Sequence, residues 1–337
     1  MKSLVKAVAP IRICDIGGWT DTWFAGQGAV FNISVYPYVE VQVRTREAQG
    51  GGRVRIAVEN FDDEYSIDPA RIRYDKHPLL EAAVDIMELP QGWDFDINIY
   101  SDAPPGASTG TSAAVSVALI GALDSLTPGH LTAHEVALLA QRIETEKLGL
   151  QCGIQDQLAS AYGGINFIEM FSYPHASVST VQIPNRVWWE LEHRLALIYI
   201  GAPHQSSEIH QKVIDRLGAD AASSPELLRL RELASAAKNA ILAGSFEDLG
   251  DVMNENTQVQ RQLHPDLVCS SFEEIIEVAG EFGVLGCKVN GAGGDGGSLT
   301  ILTDGNMSQK RKLLAELDRR SYRSLPIYLA RMGLRVW

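Results

Sequence analysis

The chain of 337 residues is 45% hydrophobic and 21% charged, a composition typical of a globular protein with room for two domains. Its formal net charge of −13, without a dense Lys/Arg run, argues against nucleic acid and anionic membrane surfaces as partners. No apolar run approaches the ~20 residues that span a bilayer, and the N-terminus lacks the long apolar core of a signal peptide. We therefore expect a cytoplasmic protein, either a monomer or a homodimer. Its four scattered cysteines favour free thiols over disulfides or zinc.

Strand-like and helix-like segments alternate in the first half. Period-two alternation with β-branched and aromatic residues predicts strands at the N-terminus and at residues 29–44, 53–58 and 95–100. Helices are predicted at residues 78–87, where Pro stands at the start, and at residues 112–126.

A third helix is marked at both ends. Thr132 and Glu135 form a capping-box pattern, and Gly149 is a plausible stop. On a helical wheel, Glu144 and Glu146 fall on opposite shoulders of its apolar stripe. Either carboxylate could therefore reach into a cleft.

The second half also mixes strands and helices. Strands are predicted at residues 164–168, 178–183, 195–200, 286–289, 298–302 and 334–337, and helices at 206–217, 225–242, 246–260, 271–282 and from 308. A polar, Pro-containing stretch suggests a boundary within residues 170–195. The fold class is therefore α+β, divided into domains 1–175 and 176–337.

Residues 104–114, PPGASTGTSAA, join a strand to a helix almost entirely through small side chains. Such a loop lets backbone N–H groups at a helix N-terminus approach an anion. It matches neither GxxxxGK[ST] nor GxGxxG, so phosphate would be neutralised by N–H groups, the helix dipole and Mg²⁺. The hydroxyls of Thr111 and Ser112 could then face a phosphate or a metal. A tight turn with an ordinary Ser/Thr cap explains the same residues.

Residues 9–22, APIRICDIGGWTDT, lead a strand that carries Arg12 into a turn that presents Trp19 and Asp21. An aspartate can accept hydrogen bonds from sugar hydroxyls, and an aromatic ring can stack on the apolar face of a sugar. The alternative is an Asx turn beside a core tryptophan.

Two further stretches are rich in glycine. Residues 290–298, NGAGGDGGS, are followed by a strand rather than a helix, which argues against a dinucleotide fingerprint. Residues 149–164, GLQCGIQDQLASAYGG, place Asp156 just past a turn, where an aspartate is commonly a helix cap.

In this order, the four elements resemble the GHMP kinases, named for galactokinase, homoserine kinase, mevalonate kinase and phosphomevalonate kinase. APIRICDIGGWTDT, PPGASTGTSAA and KVNGAGGDGGS resemble that family's three motifs. The run RIETEKLGLQCGIQDQLASAYGGINFIEMF is similar to the sugar 1-kinase branch, which includes heptose 7-phosphate kinases and the kinase part of fucokinases. CGIQDQ also resembles galactokinase. The resemblance implies an N-terminal domain like ribosomal protein S5 domain 2, a ferredoxin-like C-terminal domain and an active site between them.

The resemblance also implies roles. Asp156 would be catalytic with Arg12 as its basic partner, Glu144 and Ser112 would bind Mg²⁺, and Glu146 rivals Glu144. Substrate contacts would come from Trp19, Asp21, Gly153, His204, Gly293 and Gly294. ATP phosphates would lie on Pro105, Gly106, Ala107, Ser108, Thr109, Gly110, Thr111 and Ser112.

The chain departs from the family pattern in places. Thr109 and Thr111 replace the usual Leu and Ser, and Asp295 interrupts a glycine run, where it must face metal, solvent or sugar. Near His204 and Gln205 there is no arginine, which argues against a phosphorylated substrate.

The function predicted is an ATP- and Mg²⁺-dependent kinase that acts on the anomeric hydroxyl of a hexose, uronic acid or heptose. The alternatives are a non-sugar acceptor such as an isoprenoid precursor, a non-catalytic nucleotide and sugar sensor, and a binding protein without nucleotide.

Overall fold

The computed structural model describes residues 3–48, 53–201 and 206–337. Its strands are β1 (Leu4–Ile16), β2 (Gly28–Glu47), β3 (Val54–Val58), β4 (Asp63–Ile67), β5 (Trp93–Ser101), β6 (Ile165–Ser172), β7 (His175–Thr180), β8 (Leu195–Tyr199), β9 (Gly286–Val289), β10 (Ser298–Leu302), β11 (Arg323–Leu325) and β12 (Arg335–Val336). Its α-helices are α1 (Pro78–Ile86), α2 (Thr111–Asp124), α3 (Ala133–Arg142), α4 (Gln155–Tyr162), α5 (Asn185–Arg194), α6 (Ser206–Leu217), α7 (Pro225–Ala243), α8 (Phe246–Leu263), α9 (Ser270–Glu281) and α10 (Met307–Arg319). Among these helices, none is long and apolar enough to cross a membrane.

The first sheet has the strand order β12-β1-β2-β5-β3-β4, and β6 and β7 extend it from the first part of β2. Helix α2 is apolar all round, and its buried residues pack against β1 and β2. The β1–β2 register shifts between Ile13 and Ile16, so that Cys14 and Asp15 together oppose one residue of β2. Such a bulge bends the strand and redirects its side chains at this end of the sheet.

The second sheet is antiparallel, with the order β11-β8-β10-β9. Helices α6 to α9 connect β8 to β9, a tight loop joins β9 to β10, and α10 leads to β11. This is the ferredoxin-like order that the resemblance to GHMP kinases implied. Strand β12 then returns to the first sheet, where Ala7 pairs with Val336. The predicted α+β class, with these two architectures, is confirmed.

Most predicted elements lie within a few residues of the observed ones. Four were missed: β4, α4, α5 and β11. The capping box at Thr132 and Glu135 is present, but α3 ends at Arg142 and continues as one π-helical turn, Ile143–Lys147. The division at 175/176 stays a prediction, and it falls at the start of β7, which still pairs with β6.

Candidate active site

One cleft of about 330 Å³ lies where the end of β1, the N-termini of α2 and α4, helix α6 and the β9–β10 loop meet. The residues that line it come from all four motifs of the sequence. They are Arg12, Asp15, Trp19, Asp21, Thr22, Gly106, Ala107, Ser108, Thr109, Gly110, Thr111, Ser112, Ala113, Glu144, Leu150, Gln151, Cys152, Gly153, Gln155, Asp156, Gln157, His210, Gly291 and Ala292.

The loop before α2 is held by its carbonyl groups. The Ala107 carbonyl accepts a hydrogen bond from Ser298 Oγ (2.6 Å), and the Ser108 carbonyl accepts one from the Arg12 guanidinium. The Thr109 carbonyl accepts one from the backbone N–H of Arg12 (2.9 Å). Helix α2 has Gly110 as its N-cap, in a left-handed conformation, and no side chain caps it. Its first-turn N–H groups therefore have no intrahelical acceptor, and they suit an anion such as phosphate.

Arg12 and Asp156 form a bidentate ion pair in the floor of the cleft. Arg12 Nε donates to Asp156 Oδ1 (2.8 Å), and Nη2 donates to Oδ2 (3.0 Å). The Arg12 side chain is 4% exposed, whereas that of Asp156 is 29% exposed. Burial alone lowers the pKa of Arg12, but Asp156 and Asp15 raise it above its ordinary value, so the guanidinium is charged. The pair therefore presents a fixed carboxylate to whatever fills the cleft.

Asp15 lies behind this pair and is fully buried. It accepts hydrogen bonds from the N–H of Gly291 (3.0 and 3.1 Å), and its Oδ1 lies 3.5 Å from Lys288 Nζ and 3.9 Å from Arg12 Nη1. Burial opposes the charge of Asp15, yet Lys288 and Arg12 hold its pKa below the ordinary value. Burial lowers the pKa of Lys288. Asp15 thus joins β1 to the glycine loop after β9.

Glu144 reaches the cleft from the π-helical turn after α3. Gln157 Nε2 donates to its Oε1 (2.6 Å), and no cation pairs with Glu144 among the described residues. Burial raises the pKa of Glu144 to about 7, and the nearby charge of Asp156 adds to the effect. The buried Gln157 Oε1 accepts no hydrogen bond. A carboxylate that lacks a counter-charge fits Mg²⁺, which commonly takes one or two carboxylates and completes its shell with phosphate and water.

Asp21 also lines the cleft and is 3% exposed. Its Oδ2 accepts a hydrogen bond from the N–H of Gln155 (3.0 Å), and burial raises its pKa to about 6. A Cβ on Gly153 would lie 1.9 Å from that Oδ2, so only glycine permits the approach. Beside Asp21, the rings of Trp19 and His210 are 4.7 Å apart and tilted by 38°.

Two family descriptions match this chain. The "GHMP kinases N terminal domain" matches residues 78–164, and "GHMP kinases C terminal" matches residues 234–315, together half of the chain. The protein belongs to the GHMP kinases. The first match spans α2, Glu144 and Asp156, and the second spans the β9–β10 loop.

Three curated GHMP kinases illustrate the similarity. A Campylobacter jejuni D-glycero-alpha-D-manno-heptose 7-phosphate kinase is 29% identical over 60% of this chain and 59% of its own length. An Arabidopsis thaliana bifunctional fucokinase/GDP-fucose pyrophosphorylase is 25% identical over 94% of this chain and 32% of its own length. A Thermotoga petrophila galactokinase is 23% identical over 93% of each. The chain therefore spans less than two thirds of the first two relatives.

Two solved structures share the fold. A D-glycero-D-manno-heptose 1-phosphate kinase from Bacteroides thetaiotaomicron superposes with a TM-score of 0.79 at 21% identity, covering 99% of this chain and 98% of that one. Lactococcus lactis galactokinase complexed with galactose gives 0.73 at 19% identity, covering 100% and 95%. At these identities the likeness concerns the GHMP kinase fold.

Most residues predicted from the GHMP resemblance come together in the cleft. Pro105 does not line it: Pro105 is exposed, and its carbonyl lies 3.4 Å from the Tyr199 hydroxyl. Gly293 and Gly294 pack against the backbone of Leu267, and Gly291 and Ala292 line the cleft in their place. Asp295 is exposed to solvent. His204 lies outside the described residues.

Glu144 and Glu146 were equivalent on the helical wheel, and the structure separates them. Glu144 lines the cleft, whereas Glu146 is exposed and accepts a hydrogen bond from Arg142 Nε (3.2 Å). Cys152 also lines the cleft. Burial raises the pKa of its thiol well above the ordinary value, and the charges of Glu144, Asp156 and Asp21 add to this. Cys152 is therefore a neutral thiol rather than a nucleophile.

Sequence reasoning missed Asp15, Lys288, Gln157 and His210. Asp15 and Lys288 belong to two of the motifs quoted above. They meet only through the contact between the two sheets, which no local sequence pattern indicates. His210 lies six positions after His204, the histidine that the resemblance implied as a substrate contact.

Proposed function

We propose that this GHMP kinase is an ATP- and Mg²⁺-dependent sugar kinase that phosphorylates the anomeric hydroxyl of a hexose, uronic acid or heptose. The observation that carries the proposal is the Arg12–Asp156 pair, which lies beside the uncapped N-terminus of α2. A Cβ on Gly110, the N-cap, would lie 3.2 Å from Asp156 Oδ2, so carboxylate and helix start are adjacent. Phosphoryl transfer needs this proximity between an acceptor hydroxyl and a phosphate site.

Asp156 orients the sugar hydroxyl and accepts its proton. Its partly exposed carboxylate faces the cleft, and both oxygens are fixed by Arg12, so the proton acceptor does not rotate. The arrangement needs no movement of either side chain at the moment of transfer, as expected for a preorganised site.

The phosphates of ATP lie at the N-terminus of α2, where unpaired N–H groups and the helix dipole stabilise negative charge. Glu144 and the exposed hydroxyl of Ser112 would hold Mg²⁺. The described residues contain no group of three or more His, Cys, Asp or Glu that could hold a metal alone, so the remaining ligands would come from ATP and water. When bound, Mg²⁺ neutralises charge on the phosphates.

The sugar binds between Asp21 and the Trp19–His210 pair. Asp21 Oδ1 and Oδ2 accept hydrogen bonds, and Oδ2 already receives one from Gln155, which orients the carboxylate. The Trp19 indole offers an apolar surface for the C–H face of a pyranose. The three relatives described above are named as a heptose 7-phosphate kinase, a fucokinase and a galactokinase, and this supports a sugar acceptor.

The test is ATP consumption with Mg²⁺ over a panel of free hexoses, fucose, uronic acids, mannoheptose and a heptose 7-phosphate, with NMR of each product. We expect turnover on a sugar with the new phosphate at the anomeric carbon. Asp156→Asn should abolish turnover and keep ATP-induced thermal stabilisation, while Asp318→Asn, an exposed site on α10, keeps both. ATP binding without ADP from any sugar would favour a sensor or a non-sugar acceptor. Activity retained in Asp156→Asn would refute the mechanism.

A further inference from the structure

We infer that the acceptor is an uncharged sugar, and that Asp21 and His210 select against sugars that carry a phosphate or a carboxylate. This inference rests on the proposed function and narrows its substrate class. It is carried by the distribution of charge around Trp19, Asp21, Gly153 and His210, which we call the sugar end of the cleft.

Carboxylates outnumber cations along the cleft. Among the described residues that line it, Asp15, Asp21, Glu144 and Asp156 are acidic, and Arg12 is the only Arg or Lys. Three of the Arg12 donors are committed, to Asp156 and to the carbonyl of Ser108. The charge of Arg12 is also paired with Asp156 and with Asp15, so an anionic group on the acceptor would find no cation without a carboxylate partner among the described residues that line the cleft.

Asp21 receives no cation either. Asp15 has Lys288 and Asp156 has Arg12, but Asp21 forms no ion pair within 4.0 Å in the described chain and relies on the N–H of Gln155. A carboxylate in this state binds hydroxyl groups well, since they donate hydrogen bonds to it. It repels a second anion, and the repulsion is strong because Asp21 is buried.

His210 lines the sugar end of the cleft as an uncharged side chain. Burial lowers its pKa to about 4, so the imidazole facing Trp19 is neutral at physiological pH. The indole of Trp19 is a neutral group, and its buried Nε1–H has no acceptor among the described residues. In the sequence, residues 199–211 contain no Lys or Arg, and the Lys212 ammonium that follows lies 2.7 Å from Asp266 Oδ2.

The test compares sugars that share a ring and differ at one carbon. Mannose, glucose and galactose are each assayed beside their uronic acid and their 6-phosphate, and mannoheptose beside its 7-phosphate, with fucose as a further neutral sugar. We expect kcat/KM for the preferred neutral sugar to exceed that of its anionic counterparts by about 100-fold or more. An anionic member that reacts as well as its neutral partner, or better, overturns the inference.

Three variants test the assignment to particular residues. His210→Arg places a cation at the sugar end and should narrow the neutral-to-anionic ratio by about tenfold, while His210→Gln, which adds no charge, should keep the ratio. Asp21→Asn should also lower the ratio of kcat/KM for the neutral sugar to kcat/KM for the anionic sugar. The neutral sugar loses a charge-assisted hydrogen bond to the carboxylate, whereas the anionic sugar is no longer repelled by it. A ratio unchanged in both His210→Arg and Asp21→Asn, with thermal unfolding like that of the wild type, overturns the assignment.

The proposed kinase function and the inference about the charge of the acceptor can be refuted separately. Turnover that favours an anionic sugar refutes only this inference and leaves the kinase function in place. Absence of turnover with every sugar, despite ATP binding, refutes the proposed function and this inference with it.

Discussion

Lys288 Nζ lies 3.5 Å from Asp15 Oδ1, and both side chains are 1% exposed. Lys288 belongs to β9 of the four-stranded sheet, and Asp15 to the bulged end of β1 in the larger sheet. The ion pair therefore bridges the two sheets directly beneath the cleft. Because Asp15 also accepts the N–H of Gly291, it holds the β9–β10 loop against Arg12.

Removing the charge of only one partner of this ion pair should lower the free energy of unfolding. Asp15→Asn leaves the Lys288 ammonium buried without a counter-charge, and we expect a loss of about 3–5 kcal/mol in the free energy of unfolding. The double variant Asp15→Asn, Lys288→Met removes both charges and should be more stable than Asp15→Asn alone. Urea denaturation of the four proteins in this cycle measures the coupling. Strictly additive effects would show that the pair does not interact.

The raised pKa of Glu144 predicts a pH-dependent difference in stability. Below its ordinary pKa of 4.5 the carboxyl is protonated in both the folded and the unfolded chain, and it contributes nothing. Between 4.5 and about 7 the unfolded chain ionises first, so the cost to the folded state grows with pH and then levels off. Glu144→Gln should therefore be more stable than the wild type at pH 8, and this difference should vanish below pH 4, under the ordinary pKa of the carboxyl.

The same variant tests the metal assignment. With Glu144 ionised, stabilisation by Mg²⁺ and ATP together should exceed stabilisation by ATP alone at pH 8, and the Mg²⁺ increment should be lost in Glu144→Gln. Thermal unfolding with each ligand combination measures both effects. If Mg²⁺ added as much thermal stabilisation to Glu144→Gln as to the wild type, Glu144 would not be a metal ligand.

Gly153→Ala should weaken the sugar site. The new Cβ would collide with Asp21 Oδ2 at 1.9 Å, and either the carboxylate or the loop must move. We expect KM for the sugar to rise at least tenfold, since about 1.4 kcal/mol of lost contact energy is enough for that change. Gly129→Ala is the matched control, because its Cβ has no neighbour within 4 Å. Steady-state kinetics give KM for the sugar in both variants. Equal KM values would contradict the assignment of Asp21 to the sugar site.

Thr132→Ala should lower the free energy of unfolding by about 1 kcal/mol without a change in KM, since it removes a helix cap remote from the cleft. The Glu135 N–H donates to Thr132 Oγ1 (3.3 Å), and Glu135 Oε2 accepts from the Thr132 N–H (2.8 Å). Thr132→Ser keeps the acceptor oxygen and should restore most of the stability. Chemical denaturation of the three proteins measures this, and identical midpoints would show that the cap contributes nothing.

The sequence predicted the fold class, the strand order implied by the family and most of the cleft. A local pattern was sufficient to predict part of the site where one motif determines both the backbone conformation and the binding groups, as the small residues before α2 do. Arg12 and Asp156 are far apart in sequence, and their pairing came from the family resemblance. The bidentate geometry between them became visible only in the structure.

Three features could not be read from local pattern. The β1 bulge turns Asp15 inward against the period-two alternation of its strand, and nothing in the sequence marks an extra residue there. The π-helical turn changes the angular spacing on which a helical wheel depends, so Glu144 and Glu146 looked alike. Short helices such as α4 lack the length over which a 3.6-residue period becomes evident.

The pairing of β12 with β1 has a consequence for synthesis of the chain. Lys6 and Trp337 exchange two backbone hydrogen bonds, each 3.0 Å long, so the outer neighbour of β1 arrives only after everything from β2 to β11 has left the ribosome. Until then one edge of β1 is open, and open edges are where foreign strands add. Until β12 has been synthesised, this edge of β1 must therefore be shielded, or β1 must stay unpaired.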